Sequence, residues 1–90
     1  MEDNKVKVRI YGQEYTISGE RDEETIIEIA DYVDDKMREI SRFFSSNIPG
    51  SLAVLASINI ADELFSIREE TARIKEEKEQ LEKEAENYLK

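Results

Sequence analysis

The sequence contains no cysteine and no histidine. A chain without these residues cannot form disulfides, lacks the usual zinc ligands and cannot build a Ser-His or Cys-His nucleophile pair. We therefore expect no catalytic site, no bound metal and no cofactor in these 90 residues.

Basic residues are also few. The chain has 13 lysines and arginines against 22 acidic residues, which gives a formal net charge of -9. Such a chain repels polyphosphate unless its basic residues are gathered on one surface. The composition therefore predicts no nucleic-acid partner.

We expect neither an export signal nor a membrane anchor. Residues 1–5 are acidic and polar, whereas a signal peptide has a basic start followed by an apolar run. The most apolar stretch, residues 52–65, is interrupted by four polar or charged residues, Ser57, Asn59, Asp62 and Glu63. A membrane helix needs about 18 or more apolar residues in succession, so we predict a cytoplasmic protein with no transmembrane helix and no membrane partner.

Alternation of apolar and basic residues predicts a first strand over residues 5–11. One side of this strand is apolar and the other is basic: Val6, Val8 and Ile10 alternate with Lys5, Lys7 and Arg9. A second alternating run ends at residue 18. The pattern predicts a β-hairpin over residues 5–18, with an apolar face that must pack on another element because two strands alone are marginally stable.

The turn of this hairpin is predicted at Gly12-Gln13. A glycine at the first central position suits a type II′ turn of two residues. This turn pairs Ile10 with Tyr15 and Val8 with Ile17, so that apolar residues face each other across the strands.

A first helix is predicted over residues 23–45, with the carboxylate of Asp22 accepting from free backbone amides at its N-terminus. One apolar stripe runs along it at spacings of three and four: Ile26, Ala30, Val33, Met37, Ile40 and Phe44. Residues 45–50 form the only cluster of helix-breaking residues and predict a turn between helices.

Neither glycine nor proline occurs after Gly50, so one helix is predicted from residue 51 almost to the end. From residue 52 to 65 this helix is apolar on every side, which is typical of a helix that is buried on every side. Beyond this stretch it is mostly charged and keeps a thin seam at heptad spacing: Leu64, Ile67, Thr71, Ile74, Lys78, Leu81, Ala85 and Tyr88.

These elements predict an α+β fold, in which an N-terminal β-hairpin and a short helix form a head and one long C-terminal helix dimerises as a coiled coil. We expect residues 1–4 to be disordered. The head covers residues 5–66, with the hairpin at 5–18, helix one at 23–45 and the start of helix two at 51–66. The coiled-coil tail covers residues 67–90.

The apolar half of the second helix is too large for the other elements to cover. A core of this size rarely supplies more than about 3–5 kcal/mol, and each exposed leucine or isoleucine forfeits roughly 1.5–3 kcal/mol. We therefore predict a homodimer through the second helix, and a tetramer is left open. The predicted interface residues are Leu52, Leu55, Ile58, Leu64, Ile67, Ile74 and Leu81.

Three segments together resemble the ZapA family of bacterial cell-division proteins. They are IYGQEYTI at residues 10–17, YVDDKMREI at 32–40 and LAVLASINIADEL at 52–64, and the likeness covers almost all of residues 6–70. The resemblance implies a non-enzymatic cytoplasmic protein at the division site that binds the GTPase FtsZ and promotes bundling of its filaments. It also implies a dimer, and in some members a tetramer.

The resemblance further implies that the head and charged positions of helix one contact FtsZ. The basic candidates in this sequence are Lys36, Arg38 and Arg42 on helix one, with Lys5, Lys7 and Arg9 on the hairpin. Positive charge on an otherwise acidic head fits an acidic partner surface. Alternatively, these residues are ordinary solvated positions, and the strand lysines protect a sheet edge.

Asp31, Asp34 and Asp35 form an acidic cluster, but hard cations require about six convergent oxygens, so we interpret these carboxylates as a solvated helix face. The alternative function is a general coiled-coil dimerisation adaptor for another cytoplasmic partner.

Overall fold

The protein is described by a computed structural model that covers residues 4–44 and 48–89. Two strands, β1 (Asn4–Ile10) and β2 (Gln13–Gly19), precede two helices, α1 (Glu23–Ser41) and α2 (Pro49–Leu89). A hairpin, a short helix and one long C-terminal helix follow in the predicted order, so the fold class is confirmed.

The boundaries differ from the predicted ones by a few residues. Helix α1 ends at Ser41, earlier than the predicted residue 45, and α2 begins at Pro49, two residues before the predicted start. Proline is well suited to the first turn of a helix, because the backbone N–H groups there have no acceptor within the helix and the missing N–H of proline costs no hydrogen bond. Asn4 already belongs to β1, and the rest of the segment predicted to be disordered lies outside the described residues, as do residues 45–47.

The chain divides after Asn59 into two compact units, which we call the head unit and the tail unit. The head unit contains the hairpin, α1 and the first part of α2, and the tail unit contains the rest of α2. The predicted coiled-coil boundary after residue 66 concerns pairing with a second chain and stays a prediction.

The predicted hairpin register is wrong by two residues. The strands pair with Val8 opposite Tyr15 and Ile10 opposite Gln13, and only Tyr11 and Gly12 lie between them. Both turn residues have positive φ, 48° at Tyr11 and 81° at Gly12, which is the type I′ pattern rather than type II′.

The error has a simple physical reason. Moving a two-residue turn by one position changes the pairing by two residues, and side chains in a strand alternate with a period of two. The apolar residues therefore stay on the same face in both registers. Alternation alone cannot distinguish the two hairpins.

The described residues of the head form two clusters of buried side chains. In the first, Val6 and Val8 of β1 pack on Ile26 and Ala30 of α1. The second joins α1 to α2 through three residues, Met37, Leu52 and Ala56. Leu52 and Ala56 are each 1% exposed, so α2 enters the head core with one face.

The start of α1 differs in detail from the prediction. Asp22 occupies the N-cap position with an extended backbone, but its side chain bonds to no backbone amide. Its carboxylate instead accepts a hydrogen bond from the Thr25 hydroxyl. The position of the cap was predicted correctly and its hydrogen-bond partner was not.

The tail unit is helical as far as Leu89. Ion pairs along the helix surface involve Arg73, which lies 3.3 Å from Glu70 and 3.7 Å from Glu77. Such exposed pairs contribute a few tenths of a kcal/mol each and support the helix without selecting a partner.

Candidate partner-binding surfaces

The structure separates the six predicted contact residues into three groups. Lys5, Lys7 and Arg9 are exposed on the outer face of the hairpin, because the alternate residues Val6 and Val8 are buried against α1. Across the strands, these three basic residues face Ser18, Thr16 and Glu14 respectively. They form a row on the face of the sheet that points away from the core.

Arg38 and Arg42, one turn apart on α1, form the second group, and Arg38 also takes part in a link between α1 and the hairpin turn. Its Nε donates to Asp34 Oδ2 at 2.9 Å, and its guanidinium lies 5.6 Å from the centre of the Tyr11 ring. The other carboxylate oxygen of Asp34 accepts from the backbone N–H of Tyr11 at 2.6 Å. One carboxylate thus connects α1 to the strained turn, and Arg38 holds that carboxylate in place.

Electrostatics reinforce this link. The hydrogen bond from Arg38 lowers the pKa of Asp34 below its ordinary value, partial burial opposes the shift, and the Tyr11 N–H lowers the pKa further. The same bond raises the pKa of Arg38. Both groups are therefore held in their charged forms.

Lys36 lies on a different side of α1. Two residues correspond to roughly 200° around a helix, so Lys36 and Arg38 do not share a face. The Lys36 side chain is 17% exposed, with its ammonium 3.9 Å from Glu39 and 5.4 Å from the centre of the Tyr32 ring. The structure therefore does not bring Lys36 together with the two arginines.

Arg42 is exposed one turn beyond Arg38. Its side chain has no ion pair within residues 4–44 and 48–89. It lies between two shallow clefts of about 380 and 390 Å³, one next to the turn at Gly12 and one next to Phe43. Phe43 is 79% exposed, so a cation and an aromatic ring are both accessible here.

The acidic cluster of α1 is split by these contacts. Asp34 is engaged with Tyr11 and Arg38, while Asp31 and Asp35 are exposed. Within the described ranges, no group of three or more acidic side chains could hold a metal ion.

The predicted dimer residues fall into three sets by exposure. Leu52 is 1% exposed and belongs to the core of its own chain, so it has no surface to offer a second chain in this structure. Leu55 is partly buried. The other five are 45–65% exposed: Ile58, Leu64, Ile67, Ile74 and Leu81.

The apolar part of α2 is largely uncovered. By length and composition alone, one segment of this helix is apolar enough to cross a membrane, a test that core helices also pass. Only 11% of this segment is buried within one chain. This exposed surface needs a cover of some kind.

Sequence reasoning missed one concave feature of the head. A groove of about 570 Å³ lies between the hairpin, α1 and the first turns of α2. Tyr15 is 47% exposed and lines it on the hairpin side. The large aromatic residue on the apolar face of β2 is the one signal in the sequence that points to this surface.

The fold and these surfaces define the class: a small α+β protein with a charged helical tail and an uncovered apolar helix suited to self-association. Comparison with known proteins identifies the family. The family model described as "Cell division protein ZapA" matches residues 6–89. The chain belongs to the ZapA family of cell-division proteins, which confirms the resemblance.

Individual relatives agree over most of their length. "Cell division protein ZapA" of Geobacillus kaustophilus is 45% identical over 80 residues, which covers 89% of this chain and 85% of the relative. The protein of the same name in Geobacillus thermodenitrificans is 46% identical over 71 residues, with 78% and 77% covered.

A solved structure is also similar, a "ZapA mutant dimer from Geobacillus stearothermophilus". It is 40% identical with a TM-score of 0.68, and the match covers 86% of this chain and 90% of that one. Its dimeric state supports self-association of this chain.

Proposed function

We propose that this chain is a non-enzymatic regulator of cell division that binds FtsZ in the cytoplasm and cross-links its filaments at the division site. The proposal depends on one observation above the others: a ZapA-family chain leaves the apolar face of α2 uncovered. A second copy covers such a face most simply, and a symmetric dimer then carries two copies of every other surface.

Two copies of a contact surface are what bundling requires. A filament presents many identical sites, so a dimer bound to one filament by one head holds the other head at high effective concentration near a neighbouring filament. A weak contact per head then produces a lasting bridge. Loss of dimerisation should therefore abolish bundling more completely than binding.

For the contact itself we propose the basic residues of the head, with Arg42 first and the row of Lys5, Lys7 and Arg9 second. The exposure of Arg42 and its lack of an ion pair within the described residues support this order. We propose a smaller direct contribution from Arg38, whose guanidinium is engaged with Asp34, and from Lys36, which is mostly covered.

Co-sedimentation with FtsZ filaments tests the function. We expect Arg42→Glu to weaken pelleting roughly ten-fold, which corresponds to about 1.4 kcal/mol, while the dimer persists. Lys75→Glu is the matched control, because it makes the same charge change at an exposed residue of the tail. Normal pelleting by Arg42→Glu would disprove the assignment of the contact, and a chain that never pellets would favour an adaptor for another partner.

A further inference from the structure

The groove in the head is bounded by every element of the head unit. Its hairpin wall includes Ile10, Tyr15 and Ile17, its floor Val33 and Met37 of α1, and its far wall Pro49 and Ala53 of α2. Most of these side chains are apolar. A solvent-filled groove of this kind exposes apolar surface that burial would remove from water.

The hairpin is covered unevenly, which explains why the groove exists. Val6 and Val8 of β1 are 5% and 7% exposed because α1 packs on them. On β2, Ile17 is only partly buried and Tyr15 is 47% exposed. One helix thus covers one strand of the pair, and the apolar side of the second strand is not completely covered by residues 4–44 and 48–59 of the head unit.

The groove is continuous with the apolar surface of α2. Ala53 lines the groove, and the next residue, Val54, is 60% exposed. Ile58 lies one turn further on the same side of the helix and is 62% exposed. An exposed apolar ridge therefore runs directly beside an apolar groove of the same chain.

A ridge beside a groove on one surface is self-complementary. In a dimer with two-fold symmetry, the same patch of both chains forms the interface, so a ridge that enters the partner's groove implies the reciprocal contact. The similar solved structure is a dimer. The volume of the groove, about 570 Å³, corresponds to the space that a few apolar side chains occupy.

We propose that Val54 and Ile58 of the partner subunit insert into this groove, so that the hairpin is part of the dimer interface and not only a support for partner contacts. The proposal rests on the self-association that the proposed function requires. It adds that each head is completed by the other chain. Dimer formation then stabilises the hairpin as well as pairing the helices.

Cysteine labelling tests the covering of the groove, since the chain has no cysteine of its own. Gln13 is exposed within one chain and lines the groove on the hairpin side, whereas Ser18 is exposed and does not line it. In the dimer of the 90-residue chain we expect the thiol of Gln13→Cys to react with a maleimide roughly ten-fold more slowly than that of Ser18→Cys, because labelling must wait for the dimer to open.

The same measurement in an Ile58→Lys background supplies the reference. This change should dissociate the dimer, and the Gln13→Cys thiol should then react as fast as the control. Equal reactivity of the two thiols in the intact dimer would overturn the proposal. A dimer held only by α2 and the tail predicts that equality.

A pairing experiment tests which residues meet. Tyr15→Glu and Ile58→Lys should each prevent dimerisation, because each places a charge in an apolar contact on both sides of the symmetric interface. Mixing the two variants should restore a dimer, in which one contact is native and the other pairs the new glutamate with the new lysine. Native mass spectrometry with a size tag on one variant separates the species.

Absence of the mixed dimer, with both variants folded by circular dichroism, would also overturn the proposal. The outcome is independent of FtsZ. A chain that pellets with FtsZ but leaves the Gln13→Cys thiol reactive contradicts the groove contact alone, and protection without pelleting contradicts the proposed function alone.

Discussion

Helix α2 has two parts, one in the head unit and one in the tail unit, and they differ in how many of their apolar side chains the chain itself buries. In the head unit, Leu52 and Ala56 are each 1% exposed against α1 and the hairpin turn. In the tail unit, Ile74 and Leu81 are 54% and 65% exposed. One helix thus contains residues that a single chain buries and residues that a single chain leaves exposed.

Covered residues of α2 should therefore affect the folding stability of each chain, and exposed residues should affect dimer assembly. Substitutions at the covered residues should change the unfolding of each head, whereas substitutions at the exposed seam should change the dissociation constant of the dimer. The following variants test this division, from the largest expected effect to the smallest.

Leu52→Ala should have the largest effect on folding. Truncation of a fully buried leucine costs roughly 2–5 kcal/mol, and a small domain of this kind has little stability to lose. Urea unfolding followed by circular dichroism measures the loss. Leu81→Ala is the matched control, and an equal effect of the two changes at high protein concentration would contradict the division.

Ile74→Glu should weaken dimerisation and leave the head intact. A charge in the seam of a coiled coil removes apolar contact and introduces repulsion between the paired chains, which we expect to raise the dissociation constant at least about ten-fold. Sedimentation equilibrium over a range of concentrations measures this change. Glu76→Lys, at an exposed position outside the seam, should leave it nearly unchanged.

Asp34→Asn should reduce the stability of the head by about 1–3 kcal/mol, because it removes charge-assisted hydrogen bonds to Arg38 and to the Tyr11 N–H. The effect should depend on pH. The pKa of Asp34 is lowered on folding, so its contribution is complete above the ordinary carboxyl pKa of about 3.9 and is lost as the pH falls through the folded-state value.

The control for this pH dependence is Asp31→Asn, which changes an exposed carboxylate of the same helix. The difference in unfolding free energy between Asp34→Asn and the wild type should shrink on acidification. A difference that stays constant between neutral and strongly acidic pH would show that the Asp34 charge contributes nothing to the link.

Gly12→Ala should have the smallest effect, about 1–2 kcal/mol, because φ at this position is 81° and a side chain is strained there. Apart from Gly12 and its two chain neighbours, no heavy atom of the described residues lies within 4 Å of the added Cβ, so the backbone conformation dominates the effect. Thermal unfolding measures the change. A neutral result would mean that the turn adapts, and the type I′ assignment would then need revision.

Local patterns were sufficient to predict most of the fold. The order of the four elements, the apolar face of each and the long helix after Gly50 follow from periodicities of two and 3.6 residues. The hairpin register did not follow, because two registers that differ by two residues present the same faces. The observed strand pairing and the positive φ angles of Tyr11 and Gly12 distinguish them.

The candidate contact surface was predicted less completely. Composition and the resemblance selected basic residues of the head, but Arg38 interacts with a carboxylate that also bonds to Tyr11, 23 residues away. Lys36 is covered by Tyr32 and Glu39 on another side of α1. These differences arise from contacts with neighbours whose positions the helical pattern does not specify.

The sequence by itself determined the class of fold, the acidic character of the chain and the excess of apolar surface on α2, because each is a property of residues close together in the chain. The tertiary structure decided which of those apolar residues a single chain can cover. Leu52 faces Met37 across the head core, whereas Ile58 is left exposed. The distinction depends on which elements lie next to α2 in space, and distant segments of the chain supply those neighbours.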